Sequence, residues 1–126
     1  MSEETITQHV ALQYNNKKQA DVFFKEILDL DFIKEFKLSE ELAKQIFDTS
    51  EETDVVVYGN EKCVFEIFIT HYKTEYIFNH VCIEVYNKDN FVKKCKENKL
   101  KPFFVYKGDK KLLFVKDYSD NLYEIK

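Results

Sequence analysis

The chain repeats itself, and that limits what it can fold into more than any other feature. Sliding its 126 residues by 71 positions sets His9-Val10 against His80-Val81 and Leu12 against Ile83. It also sets Asn16-Lys17 against Asn87-Lys88, Lys25-Glu26 against Lys96-Glu97, and Phe32 against Phe103. The ends of the halves match at an offset of 58, where Val64-Phe65-Glu66-Ile67 faces Leu122-Tyr123-Glu124-Ile125. The first half therefore carries 13 additional residues, most of which the stretch 39–47 can absorb. A duplication of this length asks for one supersecondary unit used twice.

Each half reads strand–helix–strand–strand–strand. Alternating apolar residues predict strands over 8–14, 31–37, 53–58 and 61–70, then again over 79–86, 102–106, 111–116 and 121–126. Ala20, Phe23, Phe24, Ile27 and Leu28 recur at helical spacing and predict a helix over 17–29. Phe91, Val92 and Cys95 do the same for 88–98. Ser39 ahead of an acidic first turn opens a short helix over 39–47. Gly59-Asn60 reads as a hairpin turn, and Asp117–Asn121 (DYSDN) as the turn before the last strand. The fold class is thus α+β, two βαβββ modules forming an open cup-shaped sheet, in a single domain over 1–126 with repeats at about 6–70 and 78–126.

Period two settles which way the strand residues point. Val10, Leu12 and Tyr14 share one face, while His9, Ala11 and Gln13 share the other. His80, Cys82 and Glu84 oppose Val81, Ile83 and Val85. Glu66 opposes Phe65 and Ile67, and Glu124 opposes Tyr123 and Ile125. In all four strands the apolar face should carry a helix, so His9, Glu66, His80 and Glu124 fall on the concave face. Two imidazoles and two carboxylates there suit one divalent transition metal, with Zn or Ni the most plausible. Gln13 and Glu84 hold matching concave positions, where they could contact a ligand. Cys82 is expected as a small buried core thiol, His71 as a surface histidine, and Phe23, Phe24 and Phe91 as core.

Charge narrows the partners. Acidic residues outnumber basic ones, giving a net charge of −4, and all 19 basic residues are Lys. Without Arg there is no bidentate clamp for phosphate, and the acidic balance argues against nucleic acid. No apolar run approaches the roughly 20 residues of a membrane helix. The acidic N-terminus does not read as a secretory signal, and three Cys without metal-type spacing read as free thiols. A cytoplasmic protein is the expectation.

The paired modules, with HVALQY (9–14 with its His), FNHVCIEV, VFEIFI and FVKDYSDNLYEI, resemble the vicinal oxygen chelate superfamily over about residues 6–126. That superfamily includes glyoxalase I, fosfomycin-resistance thiol transferases, bleomycin-resistance proteins and extradiol dioxygenases. The His/Glu/His/Glu pattern is most similar to glyoxalase I. The resemblance implies a metal held by His9, Glu66, His80 and Glu124, and a metal-dependent lyase or isomerase acting on a small molecule with adjacent oxygens. Glu66 or Glu124 would then be the catalytic base. It implies a homodimer in which His9 and Glu66 of one chain meet His80 and Glu124 of the other. The alternative it implies is a metal-free module that sequesters a small molecule, as bleomycin-resistance proteins do. The turn DYSDN lacks the family's usual Pro and Gly, and no Arg stands where glyoxalase I holds glutathione.

Overall fold

The computed structural model describes residues 7–71 and 78–126. Its elements run β1 (Val10–Tyr14), helix α1 (Lys17–Asp21) continuing as a π-helical segment (Val22–Ile27), β2 (Asp31–Leu38), α2 (Glu40–Phe47), β3 (Thr53–Gly59) and β4 (Val64–Ile69). The second half follows with β5 (Val81–Ile83), α3 (Lys88–Glu97), β6 (Phe103–Lys107), β7 (Lys110–Lys116) and β8 (Leu122–Ile125). Two four-stranded mixed sheets result, ordered β1-β4-β3-β2 and β5-β8-β7-β6. Each half is a βαβββ module, and α2 is the addition in the first. Ile6, the expected start of the first repeat, lies outside the described residues.

β1 and β4 run parallel and pair Val10 with Phe65, Ala11 with Glu66, and Leu12 with Ile67. β5 and β8 also run parallel, pairing Val81 with Tyr123, Cys82 with Glu124, and Ile83 with Ile125. Every residue of the second set lies 71 or 58 positions after its counterpart in the first. The two offsets in the sequence are therefore one structural register used twice. A one-residue slip in either pair would send its Glu to the helix-covered face.

The helices start where side chains satisfy their free N–H groups. Asn16 Oδ1 accepts from Gln19 N–H at 3.0 Å and Asn87 Oδ1 accepts from Asn90 N–H at 2.9 Å, which accounts for the repeated Asn. Ser39 Oγ accepts from Leu42 N–H at 3.2 Å ahead of α2. The expected single α-helix over 17–29 widens instead at Val22, and Leu28 N–H reaches back five residues to Phe23 O at 2.9 Å. Consecutive residues of an α-helix point about 100° apart. The wider π turn lets the adjacent Phe23 and Phe24 both sink out of solvent.

Those two rings join the modules. Phe24 stacks on Tyr58 (5.2 Å, 16°) and meets Tyr14 and Phe65 at 5.6 and 5.3 Å, all in the first sheet. Phe23 packs on Tyr123 of β8 at 4.9 Å. Phe91 and Cys95 of α3 enter the same core, with Leu113, Val115 and Ile125 from the second sheet. Both sheets thus turn their helix-covered faces inward to one core, and their other faces look outward. α2 departs from this plan. It lies over the outward face of the first sheet, where Ala43 packs with Leu38, Val55 and Phe68.

Two turns differ from or extend the sequence reading. The hairpin expected at Gly59-Asn60 is displaced toward Glu61-Lys62, because Gly59 still pairs with Val64 inside the ladder and Asn60 N–H donates to Cys63 O at 2.9 Å. Asn60 Oδ1 accepts from the Lys62 and Cys63 N–H groups at 2.8 and 2.9 Å and so holds the turn. A Cβ on Gly59 would lie 2.7 Å from Cys63 O, so this approach requires glycine. The DYSDN turn closes around a buried carboxylate. Asp117 accepts from Ser119 N–H (2.9 Å), Asn121 N–H (3.0 Å) and Tyr123 O–H (2.7 Å). The same turn reaches the other module: Asn121 Nδ2 donates to Gln13 O at 2.9 Å, and Ser119 Oγ accepts from Asn15 N–H at 3.1 Å.

Cys82 corrects an expectation. It is exposed rather than buried, because period two keeps it on the outward face with His80. Cys95 is the buried thiol, and burial pushes it up to about 12.

Candidate metal centre

The parallel pairing of β1 with β4 brings the first two candidate ligands together. Ala11 faces Glu66, and His9 stands two residues earlier on the same side of β1. His9 Nε2 and Glu66 Oε1 are 3.3 Å apart, with the Glu side chain mostly buried and the His side chain half exposed. Two donors that share a divalent ion through bonds of about 2.1 Å, at roughly tetrahedral or octahedral angles, stand about 3 Å apart. The pair fits that requirement as it stands.

The second half repeats the placement. Cys82 faces Glu124, and His80 stands two residues earlier on β5's side. His80 Nδ1 lies 3.0 Å from Phe78 O. A carbonyl at that nitrogen fixes the N–H there and leaves Nε2 with its lone pair outward, as a metal-binding imidazole needs. Glu124 Oε2 lies 3.4 Å from Lys126 Nζ, so an ammonium sits beside the carboxylate.

The chain gathers these residues as two pairs. Among the described residues no three His, Cys, Asp or Glu side chains converge as a metal cluster. The reason is the shared core: both outward faces carry half of the set. His71, two residues past β4, is exposed, and so is Glu84. Gln13 does reach a ligand-sized space.

That space is a cavity of about 430 Å³ between the outward face of the first sheet and α2. Ala11 and Gln13 floor it beside His9, and Phe68 floors it beside Glu66, since Gln13 and Phe68 are register partners. Leu38, Ala43 and Phe47 wall it, and Phe47 meets Phe68 edge-on at 5.5 Å and 77°. These wall residues were not singled out from the sequence. The 13-residue excess and the apolar positions of α2 were the available signal, but nothing local says which face of which sheet a helix will cover.

No protein-family profile matches the chain, and no curated protein matches it in sequence. Solved structures do match in shape. The fosfomycin resistance protein FosX from Listeria monocytogenes has a TM-score of 0.74 at 13% identity, covering 98% of this chain and 91% of that one. A glyoxalase family protein from Enterococcus faecalis has a TM-score of 0.73 at 17% identity, covering 95% of each. FosX from Mesorhizobium loti has a TM-score of 0.69 at 9% identity, covering 98% and 91%. One structure of a mutant of the Listeria protein contains Mn(II) and a dihydroxypropylphosphonic acid. At these identities the likeness is one of fold: the chain shares the fold of these fosfomycin-resistance and glyoxalase family structures. Among the described residues no helix is long and apolar enough to cross a membrane.

Proposed function

We propose, from the vicinal oxygen chelate fold as premise, that the protein is a divalent-metal-dependent isomerase or lyase of the glyoxalase I kind, acting on a small molecule with adjacent oxygens. The observation that carries this reading is the His9–Glu66 contact of 3.3 Å and its repetition in register at His80 and Glu124. His9 and Glu66 of one chain, with His80 and Glu124 of a second copy, would hold the ion. The outward direction of both half-sites supports this sharing. So does the exposed apolar surface of β6, where Phe103, Phe104 and Val105 are each at least 40% exposed. Held by these four residues, a divalent cation such as Zn, Ni or Mn would supply Lewis-acid chemistry toward a substrate oxygen. Glu66 or Glu124 would take the proton from the neighbouring carbon and return it to the product, and the imidazoles of His9 and His80 would orient the site.

The test is metal content and turnover. Protein purified without added metal should hold or take up one Zn, Ni or Mn per chain by elemental analysis and calorimetry. His9→Ala should weaken that uptake about a hundredfold or more, since even loss of a group supporting a metal ligand costs about 10–100-fold. Binding should also fade in acid, as protons compete for the imidazoles. Hemithioacetals made from several thiols then probe turnover. A wild-type protein that takes up no divalent ion would end the metalloenzyme reading and leave the sequestration module, which the cavity under α2 would suit.

A further inference from the structure

We propose that the exposed flank of α2 is a docking surface for a second copy of this chain, and that it rests on the outward face of that copy's β6–β7 hairpin. The inference gives the dimer proposed above its contact surface and rests on that dimer forming; the metal plays no part in the contact. The two modules differ most at this place. In the first, α2 connects β2 to β3, and Ala43 seats it on Leu38, Val55 and Phe68. In the second, Gly108 and Asp109 alone join β6 to β7. One module therefore carries a raised helix where the other carries a bare strip of sheet.

Both surfaces are apolar at matching intervals. Leu42 and Ile46 stand one turn apart on the same flank of α2, and they are 47% and 60% exposed. Exposed apolar side chains grouped in this way mark a contact surface. On the second sheet Phe103 pairs with Phe114, and Val105 pairs with Leu112. Phe114 also faces Glu124, so the register puts all four on the outward face. Phe103 and Phe114 stack at 5.7 Å and 20°. The two pairs lie about 7 Å apart at strand rise, and Leu42 and Ile46 lie about 6 Å apart at helix rise.

Charge then says what the partner is. Glu40, Glu41 and Asp48 border α2 against one basic residue, Lys44, and all four are exposed. The apolar strip ends at Lys107 and Lys110, register partners on the same outward face, with Asp109 between them in the turn. An acidic helix with an apolar flank thus fits an apolar strip that ends in lysines, and one chain supplies both. Such complementarity steers encounter and fixes orientation. Two-fold pairing uses both surfaces of both copies, because α2 of each rests on the hairpin of the other. The contact also turns the face with His9 and Glu66 toward the face with His80 and Glu124 of the second copy.

The experiment measures self-association of the full-length protein by analytical ultracentrifugation in excess chelator. Wild type should be a dimer at micromolar concentration. Ile46→Glu should raise the dissociation constant about tenfold or more, since it puts a charge into the apolar centre of the contact. Two charge variants give the sharper reading, one with Glu40→Lys and Glu41→Lys, the other with Lys107→Glu and Lys110→Glu. Each alone should weaken self-association about tenfold or more, because like charges then oppose at both contacts. An equal mixture of the two should recover it, because a mixed dimer has opposite charges at both contacts. With every variant folded by circular dichroism, a monomeric wild type, variants that associate as tightly as wild type, or a mixture that recovers nothing would overturn the proposal. A wild-type dimer that ignores these substitutions sinks this contact and leaves the shared site standing, whereas a protein that takes up no metal can still show the contact.

Discussion

A one-to-one mixture of Glu66→Gln and Glu124→Gln chains, unfolded together and refolded, is expected to regain metal sites that neither variant has alone. In the shared-site dimer proposed above, each pure variant would carry the defect in both sites. A mixed dimer places both defects in one site and leaves the other with His9, Glu66, His80 and Glu124 intact. With random assortment half the dimers are mixed, so about a quarter of the wild-type sites return. Metal per chain, measured after desalting, reads this directly, and turnover should rise in proportion. The geometric basis is that the two half-sites occupy outward faces of a chain whose inward faces share one core. No recovery, with both variants folded and dimeric, would mean that the site is not divided between chains.

Replacing Asp117 by Ala should lower stability by about 2–4 kcal/mol, because several buried donors lose one acceptor. Tyr123 is fully buried and its hydroxyl donates to Asp117 at 2.7 Å. Ser119 N–H and Asn121 N–H donate to the other carboxylate oxygen. For a chain of this length, such a loss lowers the melting temperature by roughly 10 °C. Tyr14 faces the same carboxylate without hydrogen-bond geometry, and its buried hydroxyl has no partner among the described residues. The pH dependence gives a sharper check. Burial raises the Asp117 carboxyl above its ordinary value near 3.8, while the bonds from Tyr123, Ser119 and Asn121 pull it down by less. A carboxyl raised on folding contributes most below its unfolded value and loses that contribution as pH rises through its folded value. The stability gap between wild type and Asp117→Asn, from urea unfolding, should therefore be widest near or below pH 3.8 and narrow as pH rises. A gap that widens with pH would show that the hydrogen bonds outweigh burial.

Duplication made much of this fold legible in the chain itself. Period two and the offsets of 71 and 58 were enough to put His9, Glu66, His80 and Glu124 on the face opposite the helices, while the parallel register that sets His9 beside Glu66 came from the paired strands themselves. Phe23, Phe24 and Phe91 are core for the same reason of spacing. What escaped was decided by contacts distant in sequence. The π turn exists because Phe23 must reach Tyr123 while Phe24 reaches Tyr58. α2 has an apolar side, but its seat over Phe68 depends on which face of the sheet was left uncovered. Cys82 was misjudged by residue type, although its strand position already pointed it outward. Asn121 and Ser119 read as ordinary turn residues, and nothing near them in the chain indicates that their partners are Gln13 and Asn15.

That last link offers a clock for the parting of the halves. The N–H of Asn15 is held by a side chain of the opposite module, not by a neighbouring strand. Its exchange with deuterium under native conditions follows the opening of the boundary between modules, whereas amides bonded within a sheet follow the opening of that sheet. If the modules separate while each remains folded, Asn15 exchanges at a lower free energy than the ladder amides of β4. A dimer whose copies trade modules must pass through that opened state, so the opening rate of Asn15, read under conditions where exchange is limited by opening, caps how fast modules can be traded.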